Sequence, residues 1–353
     1  MLPIQVIQKI QQQYNWEGNI QIKVLKSGLI NHTWKVITNN GNYILQAINT
    51  HVFSQPEKID HNLRLLSNYF SQQNQNYLFV GPMSNLSGKT MIQIADTYYR
   101  VFPFIEGTHT KTYLTNPDEA FEAAYQFGKF TALLVDFNQQ ELANTIPFFH
   151  HLAFRYWQFQ NAWQNADGQV KIKAEPFAYN IHTHLQILEK YNFFIHKNTC
   201  LIRTMHHDTK ISNVLFNEQD KGVAVIDLDT IMPGYFFSDL GDMMRTYISS
   251  VSEEEKDLSS IAIRKEFLEA VMDGYLTHMD PILTSFEKEN LLFSGQIITF
   301  MQALRFLTDF LQNNQYYNCT YPDQNLYRTA NQLHLLKLMQ ELKAPEQKWY
   351  FTK

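Results

Sequence analysis

At 353 residues the chain exceeds what one hydrophobic core ordinarily organises, so two lobes with a cleft between them are expected. A formal net charge of -5, a pI near 6.2 and 18% charged residues argue against an extended basic surface for nucleic acid. Cys200 and Cys319 are too few for a disulfide framework and lack metal-ligand spacing, and no uninterrupted apolar run is long enough to span a bilayer. The expectation is a cytoplasmic protein in a reducing compartment, with no membrane span.

Residues 1–10 have helical apolar spacing that turns polar at residues 11–13, unlike a secretory signal. Three strand-like runs follow at residues 20–25, 33–37 and 43–48, separated by turn signals at Ser27-Gly28 and Asn39-Asn40-Gly41, which predicts consecutive antiparallel hairpins. Pro56 opens a helix with Ile59, Leu63 and Leu66 at helical spacing, and strands return at residues 90–94 and 98–102. Beyond Pro103-Phe-Ile-Glu-Gly107 the pattern becomes helical, at residues 120–134, 149–163 and 178–191. Short apolar strands reappear over residues 201–229, and helices resume at 240–248, 263–275, 287–311 and 325–342. The domain expectation is therefore residues 1–106, a strand-rich lobe with one prominent helix after its third strand, and residues 107–353, a mainly helical lobe.

The chemistry-bearing stretch is Arg203-Thr-Met-His-His-Asp-Thr-Lys-Ile-Ser-Asn-Val-Leu-Phe216, followed by Val223-Ala-Val-Ile-Asp-Leu-Asp229. An aspartate five residues before an asparagine, then a second aspartate ending an apolar strand, is how a kinase sets out its base and metal ligands. Asp208 suits a carboxylate that orients and deprotonates an attacking hydroxyl. Asn213 and Asp227 suit oxygen ligands of Mg²⁺, and Lys210 suits neutralisation of a transferring phosphoryl group. A metal-dependent phosphohydrolase is the competing reading of His206-His207-Asp208; it requires these residues on a helix.

His206-His-Asp-Thr-Lys-Ile-Ser-Asn213 with Ile226-Asp-Leu-Asp229 resembles the aminoglycoside-phosphotransferase-like superfamily of small-molecule kinases, which includes choline and homoserine kinases. Longer strings are similar to the N-acetylhexosamine 1-kinase group: Tyr43-Ile-Leu-Gln46, Phe104-Ile-Glu-Gly-Thr108, Ile226-Asp-Leu-Asp-Thr-Ile-Met-Pro-Gly234, Asp239-Leu-Gly-Asp242 and Leu304-Arg-Phe-Leu-Thr-Asp309. The resemblance implies an α+β fold of protein-kinase-like, bilobal type, with an antiparallel-sheet N-lobe and a mainly helical C-lobe. It implies ATP and Mg²⁺, and a small-molecule acceptor, in the closest group the anomeric hydroxyl of an amino sugar. Gly28, Gln46, Phe104 and Glu106 fall where the family holds nucleotide. Asn31 and His32 fall near the acceptor, and Asp239 falls where a buried aspartate anchors the catalytic loop, with a helix N-cap as its other reading.

Two positions depart from the family. Gln46 stands where many kinases carry the phosphate-pairing lysine, which leaves a nucleotide-binding pseudokinase open as an alternative, and His207 replaces a glycine beside the base. Arg305, among Leu304, Phe306 and Leu307, could hold a sugar hydroxyl or acetamide oxygen, or could pair with Asp309 one helical turn on. His206 reads as a core histidine bracing the loop. Other acceptors, namely a different sugar, an amino alcohol or an aminoglycoside, remain open.

Overall fold

The computed structural model describes residues 2–25, 30–73, 77–197 and 199–342. In chain order its elements begin with α1 (Ile4–Tyr14), β1 (Gln21–Leu25), β2 (His32–Thr38), β3 (Gly41–Ala47), α2 (Pro56–Gln72), β4 (Ile92–Ile94), β5 (Thr97–Pro103) and β6 (Thr108–His109). Next come α3 (Pro117–Leu133), α4 (Leu152–Asn165), α5 (Gly168–Thr183), α6 (Leu185–His196), β7 (Ile202–Met205), β8 (Val214–Asn217), β9 (Gly222–Val225) and β10 (Met232–Tyr235). The chain continues through α7 (Phe236–Tyr247), α8 (Lys265–Met279), α9 (Ser285–Glu289), α10 (Leu291–Leu311) and α11 (Gln324–Gln340).

Two compact units emerge. The first comprises Met1–Tyr113, Phe137–Pro147 and Ser212–Pro233; the second comprises Leu114–Asp136, Phe148–Ile211 and Gly234–Lys353. The boundary expected from the sequence, between residues 106 and 107, runs within the first of these segments.

The first unit is built on an antiparallel sheet in the order β1-β2-β3-β5-β4. Because successive strand residues face opposite ways, Trp34 and Val36, Leu45 and Ala47, and Tyr99 and Val101 line one face, where they form a core with Leu2, Ile10 and Trp16. The register pairs Thr33 with Gln46 and Gln46 with Arg100, so a polar row crosses three strands on the other face. Asn62 of α2, fully buried, explains why two later segments belong here: its amide donates to Ala143 O and Ile231 O and accepts from Ala143 N, at 2.8 to 2.9 Å. The last part of the unit is a three-stranded sheet, β6-β8-β9.

In the second unit α10 is the central helix. Its length and mean hydropathy of 1.2 would suit a bilayer, but 78% of that apolar window is buried in protein, as befits a helix enclosed by α4, α5, α6, α7 and α11. Helices α3 and α8 pair closely, and glycine is what permits it: a Cβ on Gly274 would lie 2.4 Å from Phe121 O, and one on Gly128 would lie 2.7 Å from Tyr275 O. A buried ion pair, Arg203 to Glu287 at 2.8 Å, ties β7 to α9, where Glu287 also completes a capping box with Thr284.

Two helices expected as single elements are broken. The run 178–191 divides at His184 between α5 and α6, and 287–311 divides at Asn290 between α9 and α10. Neither junction carries glycine or proline, and apolar spacing continues across each, so the chain offers no breaker signal to read.

Replacing Gly274 by alanine would push its Cβ into backbone, which cannot rotate away, so α3 and α8 must separate. Gly274→Ala is expected to lower stability by about 1–3 kcal/mol, read as a lower urea midpoint at unchanged slope; an unchanged midpoint would refute the close approach.

Candidate active site

The segment that follows β7 is neither helix nor strand from His206 to Lys210, then a single 3-10 turn at Ile211–Asn213. Such a loop must find partners for its backbone, and α7 supplies them. The Asp239 carboxylate, fully buried, accepts from His206 N at 2.9 Å and His207 N at 2.7 Å. Asp242 accepts from Thr209 N at 3.0 Å, Tyr247 donates its hydroxyl to Thr209 O at 2.6 Å, and the Thr209 hydroxyl donates to Asp239 O at 2.9 Å. Asp242 is itself paired with Arg245 at 3.0 Å, which also reaches Glu253 at 2.8 Å. Asp239 lies inside the first turn of α7, whose N-cap is Tyr235.

These bonds hold His207 at φ +66°, a left-handed conformation that glycine adopts freely and other residues rarely do. The usual glycine at this position is thus a backbone requirement, and here histidine meets it with its ring bonded to the Ser238 hydroxyl at 2.6 Å. Gly234 packs on that ring, where an added Cβ would lie 2.4 Å from His207 Cε1. His206 is fully buried, edge-on to Phe127 with ring centroids 5.1 Å apart, and its Nδ1 faces Asp208 N at 3.4 Å. The phosphohydrolase alternative needed a helix through these residues; they form a loop, and among the described residues no group of three or more His, Cys, Asp or Glu is placed to hold a metal ion. Asp208 emerges with 15% of its side chain exposed, in a 3.0 Å ion pair with Lys210.

Asn213 and Asp227 lie in the first unit, at one end of the β8–β9 hairpin, where Ile226 N donates to Asn213 O at 2.9 Å. Asp227 sits at φ +60° before the 3-10 turn Leu228–Thr230. One carboxylate and one amide oxygen, neighbours on a hairpin end, are hard donors that fit Mg²⁺, an ion that keeps water and takes phosphate oxygens alongside few protein ligands.

The sheet residues named from the sequence occupy two settings. Gln46 lies in the polar row, donating to Thr33 Oγ1 at 3.3 Å and accepting from Arg100 Nε at 3.1 Å and Nη2 at 2.9 Å. Arg100 continues to Asp229, 2.7 Å from its Oδ2, and Asn31 donates to the same oxygen at 2.8 Å while accepting from Asn49 N at 3.0 Å. Phe104 carries the Lys35 ammonium 3.4 Å above its ring, exposed Glu106 accepts from Asn42 at 2.5 Å, and His32 is exposed beside Trp34. Gly28 lies outside the described residues.

Arg305 is not paired with Asp309. The Asp309 carboxylate takes the backbone N–H groups of Tyr316 at 2.7 Å and Tyr317 at 3.0 Å and the Asn325 amide at 2.8 Å, whereas Arg305 donates to Gln302 at 3.0 Å. Its guanidinium lies 5.2 to 5.7 Å from the rings of Phe149, Tyr316 and Tyr317. Arg155 is close enough that burial, followed by Arg305, brings its guanidinium down to about 10. Burial, then His207 and Arg305, Arg155 and Arg245, hold the His150 imidazole well below its ordinary value. This wall of the second unit is cationic and aromatic. Sequence reasoning missed Asp242, Tyr247, Arg155 and the pairing of Arg100 with Asp229, because each works through a partner distant in the chain.

Burial pushes the Asp239 carboxyl up to about 7, with Asp242 and Asp208 adding to the rise and the two loop N–H groups opposing it. An acid raised in the native state binds its proton more tightly there than in the unfolded chain, so its stabilising contribution is complete below its ordinary value and is lost as pH climbs through about 7. Asp239→Asn, which cannot titrate, should therefore lie furthest below the wild type in stability at about pH 4 and close the gap progressively toward pH 8 in urea titrations; a gap independent of pH would contradict this.

The phosphotransferase enzyme family, APH, matches residues 21–282. Among solved structures, a spectinomycin phosphotransferase in complex with ADP and spectinomycin is similar at a TM-score of 0.62 and 14% identity, covering 97% of this chain and 99% of that one. A microcompartment-associated aminopropanol kinase has a TM-score of 0.61 and 16% identity, covering 96% and 97%. Choline kinase from Cryptosporidium parvum Iowa II has 0.61 and 14%, covering 96% of each chain. At these identities the likeness establishes the kinase-like α+β fold. With the family matching most of its length, the chain belongs to the phosphotransferase enzyme family and is a small-molecule kinase.

Proposed function

We propose that the protein transfers the γ-phosphoryl group of ATP to a hydroxyl of a small polar acceptor, the anomeric hydroxyl of an N-acetylhexosamine. Asp208 takes the acceptor proton as the acceptor oxygen bonds to phosphorus and the bond to the bridging oxygen of ADP breaks. Lys210, paired with Asp208 at 3.0 Å, offers a cation for the phosphoryl oxygens in flight. Asn213 and Asp227 would hold Mg²⁺, which supplies neutralisation of phosphate charge when bound. The observation that carries the reading is the loop clamp: four side chains of one buried helix spend their polar groups on holding residues 206–209, and Asp208 is the carboxylate left partly exposed on that loop. Asn213, five residues on, is kept within about 18 Å of Asp208 by chain length alone.

The choice of acceptor rests on the wall around Arg305. A cationic acceptor such as choline or an aminoglycoside would meet Arg305 and Arg155, neither of which is neutralised by a carboxylate among the described residues. A sugar carrying hydroxyls and an acetamide oxygen instead finds guanidinium donors and aromatic faces on which to stack. The resemblance of the Leu304–Asp309 string to the N-acetylhexosamine 1-kinase group supports the same acceptor, and the joint presence of Asp208, Asn213 and Asp227 supports turnover over a pseudokinase.

A panel of N-acetylhexosamines, other sugars, choline, homoserine and an aminoglycoside, followed by ADP release with Mg²⁺, is expected to give turnover with the N-acetylhexosamines and a phosphate on the anomeric carbon. Turnover confined to cationic acceptors would overturn the acceptor reading. Asp208→Asn should lower kcat by about 10²–10⁴-fold with nucleotide affinity nearly unchanged; wild-type kcat would remove Asp208 as the base. Arg305→Ala should raise the acceptor KM by about tenfold or more and leave the ATP KM alone, and an unchanged acceptor KM would take Arg305 out of the acceptor site.

A further inference from the structure

Protein kinases bring a lysine on their third strand to the nucleotide phosphates and pair it with a helix glutamate. Here the third strand carries Gln46, and Glu57 of α2 accepts instead from the Tyr98 hydroxyl at 2.9 Å. A buried cation of this region is Arg100, one strand further across the sheet and in register with Gln46. It is 2% exposed, as is Asp229, and the two lie 2.6 Å apart at their nearest atoms. Asp229 is two residues beyond Asp227, on the turn that Asp227 enters in the left-handed conformation.

An ion pair this deeply buried is a poor stability device unless every donor and acceptor is satisfied, since apolar residues of equal volume do as well or better. This one is not fully satisfied: Arg100 Nη1 is buried without a hydrogen-bond partner, and Asp229 Oδ1 has the 2.6 Å contact with Arg100 Nη2 but no well-directed hydrogen bond. What the pair does accomplish is mechanical. Asp229 is gripped by Arg100 from β5 and by Asn31 from the residue before β2, so the turn that carries Asp227 is pinned to the sheet from two strands. Gln46 in turn fixes the guanidinium through both Nε and Nη2.

We propose that Arg100 is a positioning residue for the metal-nucleotide end of the site: acting through Asp229, it sets the place of Asp227. The proposal rests on the reading of Asn213 and Asp227 as metal ligands. Gln46 is then the residue that aims the cation delivered by the neighbouring strand.

The test is Mn²⁺ binding in the presence of ADP, followed by electron paramagnetic resonance, beside thermal melting and steady-state kinetics. Arg100→Gln/Asp229→Asn removes both charges together, so no single buried charge is stranded. It is expected to remain folded, to bind Mn²⁺ about 10–100-fold more weakly, and to raise the KM for Mg·ATP while leaving the acceptor KM unchanged. Arg100→Lys, which keeps a cation, should restore most of the Mn²⁺ affinity. A folded double variant that binds Mn²⁺ as the wild type does would overturn the proposal, and so would an equal loss of metal, nucleotide and acceptor affinity tracking a fall in Tm. Asp227→Ala separates the two levels: if it too binds Mn²⁺ normally, the ligand assignment fails; if it alone loses Mn²⁺, only the role of Arg100 fails.

Discussion

The loop that carries the candidate base Asp208 is held by a buried carboxylate from the neighbouring helix. Asp239 sits at zero exposure inside α7 and accepts the N–H groups of two consecutive loop residues. Burying a carboxylate costs several kcal/mol, and hydrogen bonds to a charged acceptor return about 1.5–3 kcal/mol each, so the two bonds offset part of the burial, which still pushes the carboxyl up to about 7. The return on that arrangement is geometric. It holds His207 at φ +66° and leaves Asp208, the next residue, turned toward partial exposure beside Lys210.

The first unit uses the same device. Asp229 is buried, bonded by Arg100 and Asn31, and lies two residues from Asp227, itself at φ +60°. In both places a buried aspartate absorbs fixed donors so that a nearby residue, His207 in one and Asp227 in the other, can take an unusual backbone conformation without relaxing. Left-handed backbone at a non-glycine residue persists only where its surroundings over-determine it, and these networks are those surroundings. Rigid support of this kind is what metal and phosphoryl-transfer sites require, because a misplacement of about 1 Å is enough to cost orders of magnitude in rate.

The second unit separates positioning from recognition. α7 serves the loop, while Arg305 and the aromatic rings around it form a surface on which, among the described residues, no acid pairs with the guanidinium. Asp309, the acid nearest in sequence on that helix face, is spent on fixing the turn at Tyr316 and Tyr317, and the guanidinium donates instead to the neutral Gln302. A local rule of helix pairing would have joined Arg305 to Asp309; the backbone N–H groups of the following turn and the Asn325 amide take that carboxylate instead.

The sequence by itself determined the fold class and the order of strands and helices, and it offered a candidate motif in Asp208, Asn213 and Asp227, because hydrophobic period and short spacing are local properties. The helix ends at His184 and Asn290, the requirement for positive φ at His207, and the partners of Asp239, Asp229 and Arg100 were decided by tertiary structure. Arg100 meets Asp229 across 129 residues and Asp239 meets His206 across 33, and no spacing rule reaches that far. The missing strand lysine could be read directly from Gln46. The arginine that stands beside it became visible only when the pairing of β3 with β5 set Gln46 opposite Arg100, since strand register, and with it which side chains share a face, is settled by the packing of the whole sheet.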